Sequence, residues 1–337
     1  MTKAIISGVG HYVPEKVVTN QDLTAYMETS HEWIVERSGI EERRFAEKGK
    51  DTTSSLAYQA AIKAIADAEL TPNDIDFIIF ATLSPDYFFP GGGVQLQEML
   101  GIDTVGALDI RNQCSGFIYA LSIANQFIRS NTYKNILVVG AEVQSFGLDL
   151  TTRGRNVSVL FGDGAGAVVV SGTEDESRGI LSAHLHSEGK YAKELAVLAP
   201  GSAYKWSTDV ESLEELEENA DKWHPYMNGN FVFKHAVVRF PETIMEALTA
   251  NGKTPTDLDL LVPHQANLRI SQYVQKLLKL KDEQIFNNIQ KYGNTTAATI
   301  PIALSEAKAE GRLKKGDLVC LAAFGSGFTW GSVLMNW

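Results

Sequence analysis

The strongest constraint on this chain is that it repeats itself. Thr71-Pro72-Asn73-Asp74-Ile75-Asp76-Phe77-Ile78-Ile79-Phe80 closely matches Thr254-Pro255-Thr256-Asp257-Leu258-Asp259-Leu260-Leu261-Val262-Pro263, an offset of 183 residues from Thr71 to Thr254. A second echo pairs Phe161-Gly162-Asp163-Gly164 with Phe324-Gly325-Ser326-Gly327, in the same order and each leading into a β-rich run. Two ordered echoes predict an internal duplication: two similar α/β halves meeting about a pseudo-twofold and joined near residues 171–178. The offset is far longer than the repeats of about 20–50 residues that build solenoids. The halves are expected at 1–172 and 173–337, and the cleft between them is a natural place for a site.

Within each half, β-rich runs alternate with helical ones. Ala4 to Ser7, Phe77 to Thr82, Ile136 to Val139 and Ala167 to Val170 read as buried strands. Thr53 to Ala68 carries Leu56, Ala60, Ile62, Ala64 and Ile65 at helical spacing behind the candidate caps Asp51-Thr52-Thr53-Ser54. The style is α/β with mostly parallel strands between covering helices. Gly162 to Ala167 mimics a dinucleotide fingerprint but runs into Val168-Val169-Val170, a strand, so no helix end is there to hold a pyrophosphate. Gly8-Val9-Gly10 fails likewise, because Pro14 follows it, and reads as a turn. One stretch breaks the duplication. Ser207 to Asp221, within an insertion near 202–223, holds seven acidic residues, and reads as a solvated surface helix or a lid.

The chain of 337 residues has a formal net charge of −11, the wrong sign for a general nucleic-acid binder. A local basic patch could still meet an acidic protein or a phosphate-bearing small molecule. Two cysteines, Cys114 and Cys320, are too few for a disulfide framework or a zinc site, and no metal-binding cluster is expected. The first apolar stretch ends at His11, too short for a signal-peptide core, and no run approaches the roughly 20 apolar residues of a membrane span. A reduced, cytoplasmic protein that neither spans nor coats a membrane is expected.

Three residues stand where chemistry could occur. Cys114 precedes Phe117, Ala120, Leu121, Ala124, Phe127 and Ile128, the spacing of a buried helix. A helix N-terminus favours the thiolate, the nucleophilic form. Cys320 sits in a strand-like run and reads as inert. His264 follows a predicted strand and precedes a helix, and Asn294 lies in a turn beside Gly293. Cysteine, histidine and asparagine at three such junctions suggest nucleophilic catalysis, and a cysteine hydrolase fits that list equally well.

Asp109 to Gly116, His264-Gln265-Ala266-Asn267, Gly293-Asn294-Thr295 and Phe324-Gly325-Ser326-Gly327-Phe328-Thr329-Trp330-Gly331 together resemble β-ketoacyl-(acyl-carrier-protein) synthase III, a family of thiolase-fold condensing enzymes. The likeness runs from Gly8 to the C-terminus and departs only in the acidic insertion. It implies a thiolase-like fold with mixed central sheets and a two-stage reaction. Cys114 attacks a short acyl-coenzyme A. Malonyl-acyl carrier protein then loses CO2, and its carbanion takes the acyl group to start type II fatty-acid synthesis. The resemblance implies an oxyanion hole from the N–H groups of Cys114 and Ser326, and a second pair of donors, His264 and Asn294, for the malonyl thioester oxygen.

It further implies Trp33 and Arg153 against the adenine of coenzyme A, and Gly229 and Asn267 along the pantetheine channel. Lys234, Gln265, Arg269 and Lys276 are implied against the carrier protein, and Phe89 in a homodimer contact that limits the partner's acyl pocket. No cofactor is implied. The family usually has glycine at Ser326, and the added side chain could narrow the pocket. Three alternatives stay open: a same-fold ketosynthase of a specialised polyketide, quinolone or long-chain lipid pathway, a cysteine acyl-coenzyme A hydrolase, and a non-catalytic module that binds acyl carriers.

Overall fold

The structure, a computed structural model, describes residues 2–203 and 220–337. The acidic helix or lid expected at Ser207 to Asp221 lies almost wholly outside the described residues; a short helix, Ala220–Trp223, closes that stretch.

Two sheets carry the repeat. The first has the order Lys3–Tyr12, Gly164–Thr173, Asn135–Glu142, Phe77–Ala81, Gly106–Ile110. The second has the order Gly179–Ser187, Thr329–Asn336, Leu318–Gly325, Leu260–Pro263. In each, the first three neighbours pair antiparallel and the next pairs parallel. The fifth strand of the first sheet pairs parallel with Phe77–Ala81, and its place in the second is held by a single bridge between Leu261 and Ile285. The sheets are therefore mixed rather than mostly parallel. The cause is local: Leu318–Gly325 and Thr329–Asn336 are joined by three residues, which permits only a hairpin, whereas parallel neighbours need a crossover.

The first echo encodes a capped turn that sets strand register. The Asp74 carboxylate accepts from the N–H and hydroxyl of Thr71 at 2.8 and 2.6 Å, and Asp257 does the same with Thr254 at 2.7 and 2.8 Å. Two residues on, Asp76 accepts from the N–H of Asn135 at 3.0 Å and Asp259 from that of Leu318 at 2.7 Å, pinning the start of the neighbouring strand. The offset of 183 then relates Phe77 to Leu260, Asn135 to Leu318 and the helix start Gly116 to Thr299.

The layers follow from strand alternation. Ile79, Ile136 and Val138 on one sheet, and Leu260, Val262 and Val319 on the other, face a middle layer made by the helices Gly116–Arg129 and Thr299–Ala309. The opposite faces are covered by Thr53–Asp67 and Gly92–Met99 on the first sheet. On the second they are covered by Gly229–Ala250 and Leu268–Leu278. Cys320 lies in that last core, where burial pushes its thiol up to about 12, in keeping with an inert residue.

Gly8-Val9-Gly10 is not a turn. It lies inside the strand Lys3–Tyr12, and its glycines admit the helix Thr53–Asp67: a Cβ on Gly8 would stand 2.2 Å from the carbonyl oxygen of Ala64, and one on Gly10 2.5 Å from that of Ala60. Both members of the second echo precede a strand, but 21 residues, 143–163, separate that strand from the previous one in the first half against three, 326–328, in the second. The longer excursion carries arginines to the mouth of the site.

Candidate active site

Cys114, His264 and Asn294 line one cavity of about 470 Å³ between the halves. Cys114 sits in a 3-10 turn, Gln113–Ser115, that runs into the buried helix Gly116–Arg129. The turn is fixed across the halves by a 2.7 Å contact between the Ser115 and Thr329 hydroxyls. Gly325 lets the second sheet approach the sulfur: a Cβ there would lie 2.5 Å from the Cys114 Cβ and 2.9 Å from Sγ. The N–H groups of Ser326 and of Cys114 itself point at the sulfur.

The free thiol is not a helix-end thiolate. Burial, reinforced by the Glu142 carboxylate, pushes it up to about 12, against the pull of those two N–H groups. Desolvation outweighs the partial charge of the helix end because only 7% of the residue is exposed. Glu142 is a fully buried group that the motifs did not signal. It accepts hydrogen bonds from the N–H groups of Leu83 and Ser84 and from the hydroxyl of Thr82, and burial raises it to about 7.

His264 follows the strand Leu260–Pro263, with its N–H bonded to the Ala322 carbonyl at 2.8 Å. Burial pushes its ring down to about 3, so the imidazole is neutral. Its Nδ1 lies 2.7 Å from the Thr299 hydroxyl, and Nε2 has no hydrogen-bond partner among the described residues. Asn294 is held by Gly293, whose φ of +64° a side chain would resist. Its backbone N–H donates to Leu160 and its carbonyl accepts from Gly162, at 2.8 and 3.1 Å. The side-chain Oδ1 accepts from the Thr296 N–H at 2.8 Å, which leaves the NH2 as the amide's remaining, donor-only end.

Trp33, Gly229, Asn267 and Arg269 also line the cavity. The guanidinium groups over the Trp33 ring belong to Arg37, at 4.5 Å, and Arg155, at 4.7 Å. Arg153, on the same excursion, is bonded through Nε to Asp149 at 2.7 Å. Asn267 caps the helix Leu268–Leu278 and donates to the Arg37 carbonyl at 2.9 Å.

Lys234, Arg269 and Lys276 are exposed. Gln265 is not available to a carrier protein. It is buried, donates to the Pro263 and Phe286 carbonyls at 2.7 and 3.2 Å, and accepts from the Asn288 N–H at 3.1 Å. Its amide holds the turn after His264 instead. The Ser326 hydroxyl donates to the carbonyl of Leu195, a cavity-lining residue, and Ser326 itself is not among the residues that line the cavity. Phe89 is 80% exposed, beside the exposed Tyr87 and Phe88, and does not line its own chain's cavity. Among the described residues no group of three or more His, Cys, Asp or Glu could hold a metal ion, and no helix is long and apolar enough to cross a membrane.

Two family models match: 3-oxoacyl-[acyl-carrier-protein] synthase III over residues 108–189, and its C-terminal part over residues 248–337. A β-ketoacyl-[acyl-carrier-protein] synthase III from Clostridioides difficile (strain 630) is 47% identical over 336 residues, covering 100% of this chain and 99% of that one. The crystal structure of 3-oxoacyl-[acyl-carrier-protein] synthase III from Aquifex aeolicus VF5 is 42% identical with a TM-score of 0.89, and all of both chains is covered. The priming β-ketosynthase of the R1128 polyketide pathway is 30% identical with a TM-score of 0.87, covering 99% of this chain and 96% of that one. With a duplicated fold and whole-length identity in agreement, the chain belongs to the β-ketoacyl-[acyl-carrier-protein] synthase III family of thiolase-fold condensing acyltransferases, which initiate fatty-acid synthesis.

Proposed function

We propose that the chain condenses an acyl-coenzyme A starter with malonyl-acyl carrier protein through an acyl group held on Cys114. The observation that carries this is the shared cavity of a cysteine from one half with a histidine and an asparagine from the other. The halves are taken as 1–172 and 173–337. Acyl transfer forms a tetrahedral oxyanion, for which the N–H groups of Cys114 and Ser326 are the donors at hand. The neutral His264 lines the same cavity as that thiol. In the second stage His264 and the Asn294 NH2 donate to the malonyl thioester oxygen as CO2 leaves; a carboxylate at 294 would repel that charge.

Trp33, flanked by Arg37 and Arg155, supplies a flat ring and two cations suited to an adenine nucleotide's base and phosphates. Lys234, Arg269 and Lys276 are exposed cations suited to an acidic carrier protein, on a chain whose net charge is −11. The exposed Tyr87, Phe88 and Phe89 suit burial in a homodimer. The reaction draws on no cofactor or metal, and the reading places the enzyme in the cytoplasm.

Incubation with acetyl-coenzyme A should add an acetyl mass to the peptide holding Cys114; labelling elsewhere overturns the nucleophile. Asn294→Ala should slow decarboxylation of malonyl-acyl carrier protein by about 10²-fold while leaving acylation within a few-fold. The reverse ordering favours a hydrolase. Competition among acyl-coenzyme A starters, with products weighed by mass spectrometry, identifies the primer.

A further inference from the structure

Arg43 is a cation with no exposed surface, on the short strand Glu42–Arg44. Even with burial pulling it down to about 10, its guanidinium is charged at neutral pH. Such a charge is costly to hold unless its donors are met. The two carboxylates whose charge acts on it are committed elsewhere: Glu42 pairs with Arg44 at 3.0 Å, and Asp22 accepts from the Thr19 N–H at 2.8 Å. Its donors go instead to neutral oxygens on two stretches of chain. Nη1 donates to the Val18 carbonyl at 3.3 Å and to Asn20 Oδ1 at 2.8 Å, and Nη2 donates to the Val159 carbonyl at 2.7 Å. A rigid planar fork holds two stretches at one spacing, which a flexible ammonium does not.

The second stretch is a wall of the site. Val159, Leu160 and Phe161 line the cavity, and Arg43 does not. The Leu160 carbonyl accepts from the Asn294 N–H, and the Gly162 N–H donates to the Asn294 carbonyl, so both backbone groups of Asn294 hang on that wall. The stem of Arg43 is packed into the same joint. Its Cβ lies 3.0 Å from where a Cβ on Gly162 would stand and 3.5 Å from one on Gly293.

We propose that Arg43 is a positioning residue: its buried guanidinium fixes the wall at residues 159–162 against Val18 and Asn20, and the wall sets the place of the Asn294 amide in the cavity. This rests on the reading that Asn294 donates to the malonyl thioester oxygen. Acyl transfer to Cys114 does not use that amide, so the two half-reactions respond differently to loss of the guanidinium.

The test uses the full-length enzyme as wild type, Arg43→Met and Arg43→Lys, each with and without Asn294→Ala. Arg43→Met should lower kcat for decarboxylation of malonyl-acyl carrier protein about 30-fold, with KM within about twofold and single-turnover acylation by acetyl-coenzyme A within about threefold. Arg43→Lys, which keeps the charge but not the fork, should restore decarboxylation to within about fivefold of wild type. In the Asn294→Ala background either change should cost less than about twofold further, because the amide that Arg43 positions is gone. Equal losses in the two half-reactions, or a comparable loss on top of Asn294→Ala, would mean that the guanidinium only supports the fold, and would overturn the proposal. If Arg43→Met does not fold, the same cycle with Arg43→Lys decides it. A wild type that does not decarboxylate malonyl-acyl carrier protein would instead overturn the functional reading. The Asn294 side-chain NH2 resonances, assigned by their loss in Asn294→Ala, still decide the positioning: they should shift in Arg43→Lys, and an unchanged pair overturns it.

Discussion

The two halves solve the same stretch of chain in opposite ways. Gln113-Cys114-Ser115-Gly116 and Thr296-Ala297-Ala298-Thr299 are mates at the offset of 183. Both turns force a non-glycine residue to positive φ, +43° at Gln113 and +47° at Thr296, and both lead into a middle-layer helix. Their contents differ. The first turn holds the sulfur, and its helix start, Gly116, leaves room beside Ala81, whose Cβ would sit 3.2 Å from an added methyl. In the second half the mates of Gly116 and Ala81 are Thr299 and His264, which are hydrogen-bonded at 2.7 Å. The mate of Glu142, a buried carboxyl, is Gly325, the residue that admits the sheet to the sulfur. A duplicated frame thus yields one reactive corner, because each half keeps only part of the chemistry.

The comparison breaks most sharply at the nucleophile. Cys114→Ala should lower turnover by about 10³-fold or more and abolish the acyl mass. Adding Ala297→Cys to that variant should not restore it, because the pseudo-twofold offers position 297 an alanine, Ala81, where Cys114 has His264. Acylation of the introduced thiol would show that the frame alone suffices. Glu142 comes next. Its folded value, about 7, lies above the ordinary 4.5, so its contribution to stability is full below pH 4.5 and is lost as pH rises through 7. The span corresponds to an upper bound of about 3 kcal/mol. Thermal melts of the wild type should fall between pH 5 and 8, with a flatter profile for Glu142→Gln, and parallel profiles would discard the assignment.

Gly325→Ala introduces a methyl where only 2.5 Å separates it from Cys114 Cβ, and should slow acylation about 10²-fold in a single-turnover assay. The smallest effect separates the two excursion arginines. Arg155→Ala should raise the KM for acyl-coenzyme A about fivefold and Arg153→Ala should change it little. A larger shift from Arg153 would return the nucleotide site to the sequence-based expectation.

Much of this was legible in the sequence. The Thr-Pro echo carries its own explanation, since its aspartates cap the turn and pin the next strand, and that is why the repeat survives in side chains at all. Cys114, His264 and Asn294 were visible through motifs that terminate strands or open helices. What escaped was set by contacts across the chain. The glycines at 8 and 10 look like turn residues until a helix is packed on their strand. Arg153 and Arg155 are indistinguishable along the chain, and the Asp149 contact of the one and the Trp33 contact of the other appear only in the fold. Gln265 sits in a motif beside His264, yet its amide is spent on three backbone groups. The thiol's elevation depends on the depth of burial, which helix position does not reveal. Thr299 could have been found from the offset, as the mate of Gly116.

The hydroxyl pair of Ser115 and Thr329 has a wider consequence. It stitches one half to the other a single residue away from the sulfur, so the reactive corner owns no scaffold of its own. Heat or a remote core defect that loosens either side loosens it as well, and loss of turnover and loss of structure should trace one common curve.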